Sequence, residues 1–251
     1  KYFSARYLPP NCIFDMKGSC IFSENEDLDY ILGVLNSKLI SYILYKLNPS
    51  PGFQVGDLQR VPYKEATGDI EEQIIQKTKK SKELKEYLLG FKYTSDFYHE
   101  VELEYGFSKG TNTIKSAYKA FLNRYLEIEN ELYNLQVDID QIIYKLYKIK
   151  DEEIAVIEAE FPYIQPKPSK EIDLKKVLIN YIRAIVKDKI ILEQPKIYTS
   201  EEIETLIKKQ IESKFENGYS IVEEIEAIFE KRIIDIINSG VKIGSTNFTL
   251  S

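Results

Sequence analysis

CIFDMKGSCIFSENEDLDYILGVLNSKLISYILYKLNPSPGFQVGDLQRVP runs from Cys12 to Pro62, and its reading decides the fold class. Two short apolar phrases, Cys12 to Phe14 and Cys20 to Phe22, flank a turn that Gly18 supplies. That pattern predicts a β-hairpin or two sheet strands. Ser23 then offers a helix N-cap, with Glu24, Glu26, Asp27 and Asp29 near the positive end of the helix dipole. Leu28, Ile31, Leu32, Leu35, Leu39, Ile43 and Leu47 repeat at helical spacing, which predicts one amphipathic helix. Asn48-Pro49 stops it. A loop from Pro49 to Gly56 follows, with Gly52 and Gly56 allowing close backbone approach.

Outward from there the pattern is helical. Asp69 to Leu89 carries Ile70, Ile74, Ile75, Leu84 and Leu88 on one side and five lysines between Lys77 and Lys85. Phe91 to Thr113 reads as loops. A long helix is predicted from about Ile114 to Ile149, and such length suits a bundle or a helical hairpin. Further helices are expected at Asp173 to Lys187, Ser200 to Phe215 and Ser220 to Asn238. Pro162 to Ser169 is the clearest internal boundary. The expected class is α+β but mostly α-helical: a small N-terminal sheet with a helix, then a helical bundle. Three regions follow from this, 1–64, 65–160 and 161–251.

Composition narrows the function. At 251 residues and 43% hydrophobic, the chain affords a packed core. No run of about 18 apolar residues occurs, nor any export signal, so a cytoplasmic location is expected. Cys12 and Cys20 are expected as reduced thiols, and two cysteines with one histidine argue against zinc. The formal charge is −6 but uneven. Residues 1–64 hold seven Lys/Arg and six Asp/Glu, net +1; the rest hold 27 and 34, net −7. The first quarter is the part that tolerates a polyanion.

The succession in residues 12–62, with Leu35-Asn36-Ser37-Lys38, Asn48-Pro49-Ser50-Pro51, Phe53 to Leu58 and Val61-Pro62, resembles the end of the target-recognition region in large adenine-specific DNA methyltransferases. The relatives in view are the type IIG restriction-modification enzymes and the PglX methyltransferases of phage-exclusion (BREX) systems. Ser95-Asp96-Phe97 and the stretch from Glu129 to Glu153 extend the likeness more weakly. The resemblance implies a C-terminal fragment, consistent with a chain that opens at Lys1. It implies double-stranded DNA as partner, beside the missing N-terminal methyltransferase region and other defence-system subunits.

Asn48-Pro49-Ser50-Pro51 is similar in outline to the Asn-Pro-Pro-Tyr motif that grips a flipped adenine, but it follows a helix and lacks the aromatic. Helix-stop chemistry explains it. No G-x-G pattern exists to cradle a cofactor, so S-adenosylmethionine is expected to bind the parent protein and not this chain. No catalytic or metal residue is expected. His99, among Glu100, Glu102 and Glu104, lacks a second ligand and reads as a surface residue. Candidate DNA contacts are Asn36, Lys38, Gln54, Arg60 and Lys64. Gln pairs bidentately with adenine, Arg with guanine or phosphate. For Asn36 and Lys38 the competing reading is a polar helix face packed against the preceding sheet. The Lys77 to Lys85 group reads as a solvated face, with phosphate contact as the alternative. The expected function is DNA binding, specificity and scaffolding. A helical module that docks other proteins is the competing class, favoured by the acidic C-terminal half.

Overall fold

A computed structural model describes residues 3–8, 12, 20–24, 27–50, 52–92, 95–161, 172–186, 199–214 and 218–238. Among them all regular structure is α-helix. The expected N-terminal sheet is therefore corrected: the described residues form an all-helical structure and not an α+β one. Cys12, Cys20, Ile21 and Phe22 carry no strand, while residues 13–19 lie outside the described set. The physical reason is visible at Ile21 and Phe22, 46% and 76% exposed. A strand's preference is for a pleated surface that buries one face, and these side chains bury neither.

The chain forms two compact units from alternating segments. One takes residues 1–85 and 129–168; the other takes 86–128 and 169–251.

In the first unit, α1 (Leu28–Leu35) starts at Asp27, whose carboxylate accepts from the Asp29 N–H at 2.7 Å. The single helix expected from the apolar repeat is in fact two. The chain breaks at Asn36-Ser37, and α2 (Lys38–Leu47) begins with Ser37 as N-cap. The Leu/Ile repeat runs through the break unchanged, so periodicity alone could not show it. Asn48 closes α2 and ties the next loop: its amide donates to Gly52 O (3.1 Å) and Asp57 Oδ2 (2.7 Å), and its Oδ1 accepts from Ser50 N. The helix-stop reading of Asn48-Pro49 matches this geometry. A short α3 (Val55–Leu58) follows. The first 17 residues of α4 (Asp69–Leu89), the second part of α6 (Ile114–Tyr147) and α7 (Asp151–Glu160) complete the unit. Its core joins Tyr30, Val34, Leu39, Ile40 and Leu44 to Ile74, Ile139, Ile143, Tyr144 and Ile157. Each buried Leu or Ile contributes roughly 1.5–3 kcal/mol. Gly33 lets α1 lie on α4: a Cβ there would meet Thr78 Oγ1 and Ile74 Cγ2 within 3.0 Å.

The second unit contains α5 (Glu102–Ser108), the first part of α6, α8 (Leu174–Ile185), α9 (Ser200–Lys214), α10 (Gly218–Phe229) and α11 (Ile233–Asn238). Sequence reading took 91–113 as loops and missed α5, a seven-residue helix containing a glycine. It also ran α10 and α11 together. The core is rich in isoleucine, with Val177, Leu178, Ile182, Ile207, Ile211, Ile221, Ile225 and Ile233 buried around Tyr181. The open N-terminus of α6 is capped from afar: Glu224 accepts from the Ile114 and Lys115 N–H groups at 2.9 and 3.3 Å. Beside it Tyr87, Phe91, His99, Tyr105 and Phe121 meet edge-on or stacked at 4.9–5.7 Å.

Candidate nucleic-acid interface

All five candidate residues fall in the first unit, with different work to do. Asn36 is turned inward. Its Oδ1 accepts from Ala5 N (2.9 Å) and its Nδ2 donates to Ala5 O (3.1 Å), which fastens the extended segment around Ala5. Lys38 is also committed. Its backbone N–H donates to Asp140 Oδ1 at 2.9 Å and its ammonium pairs with Glu158, leaving the side chain 14% exposed. Lys38 ties the α1–α2 junction to α6 and α7, while the Asn36 side chain ties it to Ala5 and the Asn36 backbone O accepts from Gln136 of α6 at 3.4 Å.

Gln54, Arg60 and Lys64 follow α2 in the chain, at and beyond α3. Gln54 is exposed at the start of α3, and its backbone N–H donates to Asp57 Oδ2 at 2.9 Å. Asp57 thus holds both Asn48 and Gln54, adding side-chain ties to a loop whose Asn, Pro and Gly already favour turns. Arg60 is exposed just past α3. Lys64 is exposed, yet its ammonium donates to Leu146 O at 2.6 Å. Leu146 is in the last turn of α6, where carbonyls lack helical partners and the dipole is negative. Tyr147 OH donates to Pro62 O at 2.8 Å, so residues 62–64 are laid along the end of α6.

Beneath the junction lies a polar network. Asp140, 2% exposed, accepts from Lys38 N and from Gln136 Nε2 (3.2 Å), and its Oδ2 has no hydrogen-bond partner. Burial pushes its carboxyl up to about 6, against the pull of the Lys38 N–H, the Lys38 charge and Gln136; Glu158 adds to the push. Tyr144 OH donates to Glu158 Oε1 at 3.0 Å, and burial raises that phenol too. No spacing rule points to Asp140 as the residue facing Lys38, since the two lie 102 positions apart.

The Lys77 to Lys85 face is neutralised within the fold. Lys77 pairs with Asp138, Lys79 with Asp27, Lys80 with Glu131, Lys82 with Asp29 and Lys85 with Glu129. Distances run from 2.5 to 3.9 Å. A phosphate approaching α4 would have to displace a carboxylate at every lysine. His99 stacks on Tyr87 and its Nε2 lies 3.2 Å from Tyr87 O. It belongs to the aromatic cluster, and no metal-binding group of His, Cys, Asp and Glu occurs among the described residues.

Sequence reading missed the cations at the end of α6. Lys145, Lys148 and Lys150 are exposed and stand beside residues 62–64, although some 80 positions separate them in the chain.

The chain is similar to the adenine-specific methyltransferase BrxX of Escherichia coli O9:H4 (strain HS), 26% identical over 160 residues. That match takes in 60% of this chain and 12% of the BrxX protein, so the chain spans about an eighth of the curated relative's length. The chain is thus related to an adenine-specific methyltransferase. No protein-family model matches it, and no solved structure does. No described helix is long and apolar enough to cross a membrane.

Proposed function

We propose that the chain is a DNA-binding, specificity and scaffolding segment of a site-specific adenine-N6 DNA methyltransferase, in a restriction-modification or phage-exclusion system. The observation that carries the reading is the 160-residue similarity to BrxX. The surface is compatible with it. Gln54 and Arg60 are exposed on a loop that Asp57 and Asn48 hold in one shape. Gln54 offers the donor and acceptor that match adenine N7 and N6, and Arg60 reaches guanine or phosphate. Asn36 and Lys38 act behind them as scaffold. Methyl transfer and S-adenosylmethionine belong to the parent protein's other segments, and double-stranded DNA is the partner.

Binding of a fluorescent duplex by the 251-residue chain tests this. We expect weak affinity that falls with salt. Gln54→Ala with Arg60→Ala weakens it and flattens log affinity against log salt by about one unit, the Arg60 share. Lys79→Ala with Lys80→Ala leaves it unchanged. Absence of duplex binding at low salt overturns the proposal. The acidic balance after residue 64 then makes a protein-docking module the better reading. Calorimetric binding of S-adenosylmethionine at micromolar strength overturns the division of labour.

A further inference from the structure

Lys148 sits at φ 56°, one of two described non-glycine residues in the left-handed region; the other is Glu230. Both occupy the same slot. At the end of α6, Ile149 N donates to Tyr144 O and Lys148 N to Lys145 O; at the end of α10, Lys231 N donates to Glu226 O and Glu230 N to Ala227 O. This is the helix C-terminal turn whose left-handed residue is usually glycine. A lysine there is strained, and stability alone would favour glycine.

The surroundings of Lys148 give that lysine a use. Residues 58–64 and 141–150 meet through Lys64 on Leu146 O and Tyr147 on Pro62 O. Together they carry Arg60, Lys64, Lys145, Lys148 and Lys150, and no Asp or Glu. The side chains of Arg60, Lys145, Lys148 and Lys150 make no ion pair among the described residues, in contrast to the paired lysines of α4. The nearest acids along the chain flank both segments: Asp57 is held by Asn48 and Gln54, Asp140 is buried against the Lys38 N–H, Glu65 is exposed beside Lys64, and Asp151 opens α7, where Glu153 caps the Lys150 N–H at 2.9 Å.

We infer that this corner at the end of α6, with Lys148 at its tip, is a seat for the phosphate backbone of duplex DNA. The inference rests on the DNA-binding reading and extends it from a base-reading loop to a second, sequence-independent contact. Phosphate contacts set register while base edges set specificity, so the two patches divide the task. The charge chooses the occupant: two segments bring five cations together with no acid within either, which suits a polyanion.

The test uses a variant that a merely structural role would reward. Lys148→Gly relieves the backbone, so the melting temperature rises by about 2–4 °C. Duplex affinity falls nonetheless, equally for any sequence, and the salt slope flattens by about one unit. Lys145→Ala, Lys148→Gly and Lys150→Ala together flatten it by about three. Glu230→Gly is the control: the same cap and the same thermal gain, with duplex binding unchanged. If the parent chain binds duplex while Lys148→Gly keeps its full affinity and slope, the corner is not the seat and the DNA-binding reading survives. If the parent chain binds no duplex, both fail together. Loss of poly-glutamate binding with duplex binding retained also overturns the inference and assigns the corner to an acidic protein.

Discussion

Two buried carboxylates, Asp140 in the first unit and Glu204 in the second, are treated in opposite ways. In the first, Asp140 faces a backbone N–H and an amide; the nearby ammonium of Lys38 goes to Glu158 instead. In the second, Glu204 is 5% exposed but takes Lys208 at 2.9 Å and Arg232 at 2.5 Å. Burial alone would raise both carboxyls. For Asp140 burial wins, and for Glu204 the two cations outweigh it and hold the group below its usual range. A buried acid's titration is therefore set by whether its partner carries charge. The units also differ in how closely helices approach. Gly33 lets α1 reach side chains of α4, whereas Gly106 of α5 lies against the backbone of Ala117 in α6.

The largest effect should come from that second difference. In Gly106→Ala the new Cβ falls within 3.0 Å of the Ala117 Cα, C and O atoms, which cannot turn aside. We expect a loss of about 3 kcal/mol or more in urea unfolding. Gly33→Ala meets only Thr78 Oγ1 and Ile74 Cγ2 and regains about 1 kcal/mol of helix propensity, so its cost should be about 1 kcal/mol. Equal losses would break the contrast.

Next in size is the pH response. Asp140 has a folded value of about 6 against an ordinary 3.8, so the folded state holds a proton that the unfolded state releases. Stability is highest below that window and falls as pH rises through it, by up to about 3 kcal/mol. Asp140→Asn should abolish the fall and gain up to about 2 kcal/mol at neutral pH, less any cost of the changed hydrogen bonding. Glu204 has the reverse sign: its contribution is present above the ordinary 4.5 and lost as pH falls through the lowered folded value. Glu204→Gln should cost about 1–3 kcal/mol at neutral pH and flatten the acid limb. Burial also raises Glu102 in the second unit, so each variant is read against the parent. The same sign of slope change in both variants would sink the comparison.

The smallest effect is expected on α4. Lys80 and Glu131 are half exposed and 3.9 Å apart, so Lys80→Ala should change stability by less than about 0.5 kcal/mol. A larger loss would mean that the lysine ladder is a network and not a set of separate pairs.

These contrasts also mark what was legible in the chain. The periodicity of Asp69 to Leu89 gives α4 to the residue, because its apolar positions and its flanks agree. The Asn36-Ser37 break is hidden because Leu35 and Leu39 keep the helical spacing across it. The CIF phrases carry strand-like residues, but propensity says nothing about whether a second sheet face exists to cover them. At the interface, Gln54 and Arg60 were legible as residue types on a loop. A packed polar role for Lys38 was open in the sequence, but its partners were not legible, because Asp140 and Glu158 reach it from over 100 positions away. Nor was the ion pairing of the α4 lysines, since their carboxylates sit on α6 and at the start of α1.

The alternation of segments between the units has a consequence for the order of synthesis. When residue 85 leaves the ribosome, the first unit still lacks the part of α6 that carries Ile139, Ile143 and Tyr144. The 86–128 segment must be made first, roughly 2–9 s of elongation. During that wait Val34, Ile40, Leu44 and Ile74 have no α6 to cover them, and they are exposed to chaperones and to other nascent chains. Once Ile157 of α7 emerges the first unit can close, and by then 86–128 is waiting in turn for Val177 to Ile236. Stalling or truncating translation near residue 130 should therefore strand both cores at once, whereas a stop just after residue 168 should strand only the second.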